Sequence, residues 1–392
     1  MVFRILSLDG GGIRGLVSAL MLTEIEKKIS QPLNQYFNLV AGTSTGSILA
    51  AAIAAGANSQ KIVELYKEQS KIIFPYQTRW TTQRIPLLLQ YGFSAPKYSD
   101  TGLIQVLKAT FQEAKLFDIN YPLLLIVSYD TIEREPIIFK SWCYEQDYGN
   151  VPLWEVCVCS ASAPSYFPAH RLIRQVKGKI QDGYTEVIEL DENASSANNV
   201  YQNMKITITD GVGSSQVRTI KEYVGENRRA TVSPGWDKIP NKTSSYTVES
   251  IYSAIDGGVA ANNPSTCAIA EALKLGHRLE DITVLSIGTG DRTRVIPYEK
   301  ARSWGLIQWA QPLVGILFDG SSDIFDYVSN QMIHQRHLRL QFKLDRQLIG
   351  KPLSDDIDDV SDENINNLIE AARVYMKQPQ IQKSLEDFLK IN

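Results

Sequence analysis

The stretch FRILSLDGGGIRGLVSALMLTEIEKKIS (3–30) begins with a short apolar run, passes through three consecutive glycines and continues with apolar residues at helical spacing. The stretch FNLVAGTSTGSILAAAIAAGA (37–57) repeats this order and predicts a second strand followed by a second helix. Buried strands that alternate with helices are typical of a parallel sheet covered by helices. Two further apolar runs, YPLLLIVSYD (121–130) and DITVLSIGTG (281–290), predict more strands of that sheet. The sequence therefore predicts an α/β fold with a mostly parallel sheet.

The composition is that of an ordinary globular protein, with 44% hydrophobic and 21% charged residues among 392. The net charge of −3 provides no general basic field, so we expect no nucleic-acid partner. The N-terminal residues form a strand pattern without the segments of a signal peptide, and no apolar stretch is long enough to span a bilayer. The four cysteines have neither metal-ligand nor redox spacing. We therefore predict reduced thiols and a cytoplasmic protein that meets lipid only at the membrane surface.

The sequence pattern changes between residues 175 and 250, where short segments of alternating apolar and polar residues are separated by Gly, Asn, Asp and Pro. This pattern predicts a small all-β module. The pattern of helices and buried strands returns after residue 250. The module is therefore predicted to be inserted in a surface connection, where a long insertion costs little folding free energy. The predicted division is a first catalytic part (1–174), the inserted module (175–250) and a second catalytic part (251–392).

The glycines of GGGIRG (10–15) fit the G-x-G-x-x-G pattern of dinucleotide-binding loops. That fold also requires an acidic residue after the second strand, but here the second strand ends in Gly-Thr-Ser, and no P-loop lysine follows. A nucleotide site is therefore the less favoured interpretation. Glycines let successive backbone N–H groups point into one concavity, and a helix N-terminus adds partial positive charge. The loop is thus suited to hold a small anion, including a tetrahedral oxyanion.

The motif GTSTG (42–46) is G-x-S-x-G between a predicted strand and a predicted helix, which is the context of a nucleophile elbow that exposes Ser44. None of the four histidines lies on a short loop after a strand, where a general base is expected. The stretch IDGGVAANNP (255–264) instead offers Asp256 in a tight loop, from which it could accept the serine proton directly. The alternative interpretation of this stretch is a plain Asp-Gly turn.

Three motifs in order, DGGGIRG (9–15), GTSTG (42–46) and DGGVAANNP (256–264), resemble those of the patatin-like phospholipase family. ASAPSYFPAH (161–170) and DDVSDENINNL (358–368) are also similar to family sequences, and the resemblance covers about residues 1–174 and 251–392. It implies a three-layer α/β/α sandwich and a Ser44–Asp256 dyad without a metal or an organic cofactor. It further implies roles for six residues of the first two motifs: an oxyanion hole from Gly11, Gly12 and Thr45, and orientation of the loop or of a lipid phosphate by Gly10, Arg14 and Gly15.

The resemblance implies a phospholipase A-type lipid acyl hydrolase that cleaves fatty acyl esters of phospholipids or galactolipids. An acyltransferase with the same dyad and a noncatalytic nucleotide- or anion-binding protein stay open as alternatives. Some bacterial members with a similar N-terminal motif are switched on by cyclic nucleotides. Such an activator is a hypothesis here, because no motif of this sequence specifies a nucleotide. Residues 175–250 resemble a small β module of bacteriophage structural proteins. In this chain the module either binds a partner or a second copy in a homo-oligomer, or it is a tolerated insertion without a function.

Two segments raise the question of membrane contact. Residues 74–98 contain aromatic residues, a Leu-Leu-Leu run, two arginines and a lysine, and no Asp or Glu. This composition suits an interfacial patch, although a loop with a buried segment is the favoured interpretation. For residues 303–318 the apolar spacing favours a core helix.

Overall fold

The computed structural model describes residues 2–144 and 146–391, so that residues 1, 145 and 392 of the predicted ranges lie outside the described residues. The strands of the described chain are β1 (Phe3–Leu8), β2 (Leu39–Thr43), β3 (Leu123–Asp130), β4 (Glu135–Lys140), β5 (His170–Gly183), β6 (Val187–Leu190), β7 (Lys205–Asp210), β8 (Val217–Val224), β9 (Arg229–Ser233), β10 (Ser245–Asp256), β11 (Ile282–Ile287) and β12 (His337–Leu340). The helices are α1 (Gly15–Ile29), α2 (Leu33–Tyr36), α3 (Thr45–Ala54), α4 (Ser59–Ile73), α5 (Ile85–Tyr91), α6 (Thr101–Phe111), α7 (Leu153–Ala161), α8 (Gly258–Ala261), α9 (Ser265–Lys274), α10 (Tyr298–Ala301), α11 (Leu306–Ile333), α12 (Asp362–Met376) and α13 (Pro379–Leu389).

Five strands form the parallel part of the sheet, in the order β12-β11-β1-β2-β3. Beyond β3 the pairing is antiparallel, first with β4 and β10 and then through β5 and its neighbours. The predicted α/β class is confirmed. The prediction of a mostly parallel sheet holds only for these five strands, because β10 and β5 continue the same sheet in the antiparallel sense.

Helices cover both faces of the parallel strands, because successive side chains of a strand point to opposite faces. Leu6, Leu8 and Val40 lie in the larger hydrophobic cluster, together with buried side chains of α1, α3, α4, α6, α7 and α12. Ile5 and Leu39 lie in a second cluster, on which α9 packs. The parallel strands are therefore buried on both sides, which explains their continuous apolar sequences.

Strands β5 to β10 surround a hydrophobic cluster of their own, which includes Ile180, Ile206 and Tyr246. The strand order is β10-β5-β6-β9-β8-β7, and β7 pairs back with β10, so the pairings form a closed ring. The predicted boundaries at 174 and 250 fall inside β5 and β10, which run as one antiparallel pair from the main sheet into the ring. The division into three domains stays a prediction.

The favoured interpretation of residues 74–98 as a loop with a buried segment holds only in part, because Phe74 and Tyr98 are buried whereas three other large apolar side chains are not. Trp80, Leu89 and Phe93 are 93%, 83% and 98% exposed. The favoured core position of residues 303–318 is also wrong in part, because Leu306 at the start of α11 is exposed whereas Phe318 is buried. Apolar spacing indicates which residues share a helix face, but it does not indicate whether another element covers that face.

No helix within residues 2–144 and 146–391 has the length and apolar character needed to cross a membrane.

Candidate active site

Ser44 lies at the sharp turn between β2 and α3, with φ 54° and ψ −124°, in the left-handed half of the backbone map. A Cβ atom at Gly42 would lie 2.2 Å from the carbonyl oxygen of Gly46, and one at Gly46 would lie 2.1 Å from that of Leu8. Only glycine fits at either position, so the two glycines of the motif allow the close backbone approach that the turn needs. The strain at Ser44 and this packing match the predicted nucleophile elbow.

Pairing of β2 and β10 with the same strand, β3, brings Asp256 close to Ser44. One edge of β3 pairs with β4, and β2 and β10 share the other edge in succession. Thr43 at the end of β2 pairs with Val127, and Asp256 at the end of β10 pairs with the next residue, Ser128. The residue that follows Thr43 therefore meets Asp256, although 212 positions of sequence separate the two.

Ser44 Oγ donates a hydrogen bond of 2.6 Å to Asp256 Oδ2, and the N–H of Gly258 donates one of 2.8 Å to Asp256 Oδ1. Both side chains are buried. Burial raises the pKa of Asp256 to about 7, while the hydrogen bonds from Ser44 and Gly258 oppose the shift. A carboxylate with a pKa near neutrality is an effective general base at physiological pH.

The histidines have other neighbours. His170 Nε2 lies 3.1 Å from a carboxylate oxygen of Glu155, and the ring of His277 stacks on Phe3. Across the described chain, no histidine is hydrogen-bonded to Ser44 or Asp256, and no group of three His, Cys, Asp or Glu side chains is arranged to bind a metal ion.

Residues around the glycine loop hold it against Ser44. The N–H of Gly10 donates to the carbonyl oxygen of Asn262 at 3.1 Å, and the Thr289 hydroxyl donates to the carbonyl oxygen of Gly10 at 2.8 Å. A Cβ atom at Gly10 would lie 3.0 Å from the Cβ of Ser44. Gly12 adopts φ 60°, and a Cβ there would lie 2.1 Å from the carbonyl oxygen of Ile357. The loop therefore depends on glycine for its backbone conformation and for its close packing.

Three backbone N–H groups remain available beside the serine. Ser44 donates its own N–H to Ser160 Oγ at 2.8 Å. Within the described residues, the N–H groups of Gly11, Gly12 and Thr45 donate to no protein acceptor. These are the three predicted oxyanion donors, and Thr45 is also the first residue of α3, where the helix dipole favours negative charge.

Arg14 is buried and bound to backbone carbonyl groups. Its Nε donates to Gly11 at 3.3 Å and one terminal nitrogen donates to Gly290 at 3.1 Å. Burial and the nearby charge of Arg292 lower the pKa of Arg14 to about 10. These contacts favour the loop-orienting alternative over contact with a lipid phosphate. Gly15 lets the two motifs approach, since a Cβ there would lie 2.4 Å from the Thr45 hydroxyl.

Sequence reasoning missed a buried ion pair directly behind the glycine loop. Asp9 accepts hydrogen bonds of 2.9 and 2.5 Å from Arg339 on β12, and one of 2.9 Å from the Ser322 hydroxyl on α11. Asp9 precedes the three glycines, which was a usable signal. Arg339 lies 330 residues later in the sequence and belongs to no recognisable motif. Only the fold brings it to the glycine loop.

A narrow apolar pocket begins at Ser44 and Gly12. Its other walls come from α4, α6, the end of α7 and the chain after α7. We call this cavity the acyl pocket and define it by residues Gly12, Ile13, Ser44, Thr45, Ile48, Leu65, Tyr66, Ser70, Ile73, Phe74, Leu103, Val106, Leu107, Ala161, Ala163, Phe167 and Ile357.

A serine on a strand–helix elbow, bonded to a buried aspartate and flanked by a glycine loop, is typical of α/β proteins that act by nucleophilic catalysis. Residues 6–192 match the model of the patatin-like phospholipase family, and curated patatin-like proteins align with most of the chain. Residues 6–192 therefore form a patatin-like phospholipase domain.

Two curated relatives represent the similarity. Patatin-like protein 2 of Oryza sativa is 25% identical over 97% of this chain and 85% of its own length. Patatin of Solanum tuberosum is 23% identical over 98% of this chain and 86% of its own length. Among solved structures, human GIVD cytosolic phospholipase A2 is 12% identical over 99% of this chain and 60% of its own, with a TM-score of 0.43. VipD from Legionella pneumophila is 10% identical over 99% of this chain and 67% of its own, with a TM-score of 0.36.

Proposed function

We propose that this protein is a lipid acyl hydrolase of phospholipase A type that cleaves fatty acyl esters of membrane glycerolipids. The observation that carries the proposal is the 2.6 Å hydrogen bond between Ser44 Oγ and Asp256 Oδ2 at the entrance of an apolar pocket. The match of residues 6–192 to the patatin-like phospholipase family supports a lipid hydrolase. The contacts of the dyad and of the glycine loop support the more specific proposal of a serine acyl hydrolase.

The reaction follows from these contacts. Ser44 Oγ attacks the ester carbonyl carbon while its proton passes to Asp256 Oδ2. The N–H groups of Gly11, Gly12 and Thr45 stabilise the negative charge on the former carbonyl oxygen. The ester C–O bond then breaks, and the leaving alcohol takes the proton from Asp256. Water then attacks the acyl carbon of the acyl-serine and gives a proton to Asp256. The bond between that carbon and Ser44 Oγ breaks, Oγ takes the proton back from Asp256, and the fatty acid leaves.

The walls of the acyl pocket support a fatty acyl substrate. Leu103, Val106 and Leu107 on α6 line the cavity together with Ile73 at the end of α4 and Phe74 directly after it. A chain that leaves water for such a pocket gains about 0.8 kcal/mol per buried CH₂ group. This gain requires a long apolar acyl group, so it favours lipid esters over small polar esters.

Exposed apolar side chains near the pocket support contact with a membrane surface. Trp80, Leu89 and Phe93 protrude from a segment that follows Phe74 of the pocket wall. Arg79 fixes this segment to the chain after α7 by donating to the carbonyl oxygen of Ser165 at 2.9 Å. Aromatic and aliphatic groups in such a position can insert among lipid headgroups.

The proposal is tested by fatty-acid release from vesicles of phosphatidylcholine, phosphatidylglycerol and a galactolipid. We expect Ser44→Ala and Asp256→Asn each to reduce release by about 10³-fold or more, because each removes a partner of the proton transfer. Ser250→Ala is the matched control, since it deletes a buried hydroxyl of β10 outside the pocket. Wild-type activity in Ser44→Ala would overturn the dyad.

Fluorophosphonate labelling and product analysis separate the alternatives. Label on wild-type Ser44 with acyl transfer to an added alcohol, and no release to water, would indicate an acyltransferase. A wild-type protein that neither labels nor releases fatty acid would indicate that the glycine loop is a noncatalytic anion site.

A further inference from the structure

Ser70, on the last turn of α4, lines the acyl pocket and is 2% exposed. Its Oγ makes no hydrogen bond with any described residue. A serine in a helix can bond to the carbonyl oxygen four residues earlier, here that of Tyr66, but this bond is not formed. The hydroxyl is therefore a buried donor and acceptor without a protein partner, which is an unfavourable condition in an apolar cavity.

The neighbours of Ser70 offer it no alternative partner. The pocket residues of α6, and those near Ser70 on α4 and directly after it, are apolar: Leu65, Ile73, Phe74, Leu103, Val106 and Leu107. The Tyr66 hydroxyl is already bonded to Thr45, through both the side-chain hydroxyl and the carbonyl oxygen. A polar group that could satisfy Ser70 must therefore come from a molecule inside the pocket.

We propose that Ser70 is a specificity-determining residue that hydrogen-bonds an oxygen atom carried along the acyl chain, such as a hydroxyl, epoxide or keto group. This inference rests on the proposed function, because it assumes that the pocket holds the acyl group. The Tyr66 hydroxyl lies beside the nucleophile, and Ser70 follows Tyr66 by one helical turn, a rise of about 6 Å along α4. The preferred oxygen therefore lies along the chain, away from the ester carbonyl.

The kinetic experiment compares phosphatidylcholine substrates that carry stearoyl chains with substrates that carry positional isomers of hydroxystearoyl. For the wild type we expect kcat/KM to be about tenfold higher for one mid-chain isomer than for the plain chain, since that isomer satisfies the buried hydroxyl. In Ser70→Ala the ratio falls to about one, while hydrolysis of the stearoyl substrate continues.

Ser250→Ala is the control, because Ser250 Oγ is also buried without a partner but lies on β10, away from the pocket. It should retain the wild-type ratio. Equal rates for all isomers in the wild type would overturn the proposal, and so would a preference that persists in Ser70→Ala.

A binding experiment separates this inference from the proposed function. Free stearic acid and the hydroxystearic acids compete with a fluorescent fatty acid for the wild type and for Ser70→Ala. Tighter binding of one hydroxy acid, lost in Ser70→Ala, supports the role of Ser70 even if no ester is hydrolysed, in which case only the proposed function fails. Ester hydrolysis with equal binding of all the acids leaves the proposed function intact and overturns the role of Ser70.

Discussion

On one side of Ser44, a methyl group added at Gly10, Gly11 or Gly12 would come within 2.1 to 2.3 Å of a neighbouring atom. On the other side, the acyl pocket is open space bounded by aliphatic and aromatic side chains. The first side fixes backbone N–H groups and a carboxylate, for which small displacements matter. The second side accepts a flexible chain through nondirectional contacts. Substitutions on the first side should therefore abolish turnover, whereas substitutions on the second side should change which chain is used.

Outside the dyad itself, the largest effect is expected from Gly12→Ala. Gly12 has a positive φ and no room for Cβ next to the Ile357 carbonyl, so the loop must shift and misplace its N–H groups. We expect fatty-acid release to fall by about 10² to 10³-fold, the usual cost of losing one oxyanion donor. The control is Gly320→Ala within α11, where nothing lies within 4 Å of the added methyl group. Wild-type turnover by Gly12→Ala would exclude the loop as the oxyanion site.

The pH dependence should follow Asp256. The carboxylate must be ionised to accept the serine proton, and burial raises its pKa to about 7. The kcat/KM should therefore rise about tenfold per pH unit up to about pH 7 and then level off. An inflection near pH 4 would contradict the raised pKa, because it would show that the general base titrates like a solvated carboxyl group.

Stability should change in the opposite direction with pH. Between about pH 4 and pH 7 an unfolded aspartate is ionised while Asp256 in the folded protein still holds its proton. The free energy of unfolding contributed by this group therefore decreases as pH rises through that window, and levels off above it. Denaturant unfolding of wild type and Asp256→Asn across the window should give a smaller decline for the variant. Asp9, whose pKa burial also raises, contributes equally to both proteins.

The same contrast explains what could be predicted from the sequence. Ser44, Asp256 and the glycines could be found because tight turns accept few residue types, so their geometry leaves a pattern in the sequence. Arg339 could not be found, because an arginine on a strand carries no signal until the fold brings it to Asp9. The exposure of Leu89 on α5 was missed for a related reason, since apolar residues have the same spacing on a covered and on an uncovered helix.

On the pocket side, Val106→Phe should narrow the cavity without touching the dyad. Val106 is buried on α6 and lines the pocket, so the added ring competes with the distal part of a long chain. We expect kcat/KM to fall about tenfold for stearoyl esters, with little change for butanoyl esters. Gln105→Phe, at the neighbouring exposed position of the same helix, should change neither value. An equal loss for both chain lengths would show that the ring disturbs the catalytic side instead.

The smallest effect on catalysis is expected from the exposed segment between α4 and α6, outside the acyl pocket. Replacing Trp80, Leu89 and Phe93 together by Ser removes apolar surface that is almost entirely exposed, so the fold should be unaffected. Vesicle binding should weaken several-fold, because less apolar area enters the headgroup region. Hydrolysis of a soluble short-chain ester should stay at the wild-type rate, since the substitutions lie outside the residues that define the acyl pocket. If vesicle sedimentation and soluble-ester turnover fall together, the segment supports the pocket wall through Phe74. If neither changes, lipid reaches Ser44 by another surface.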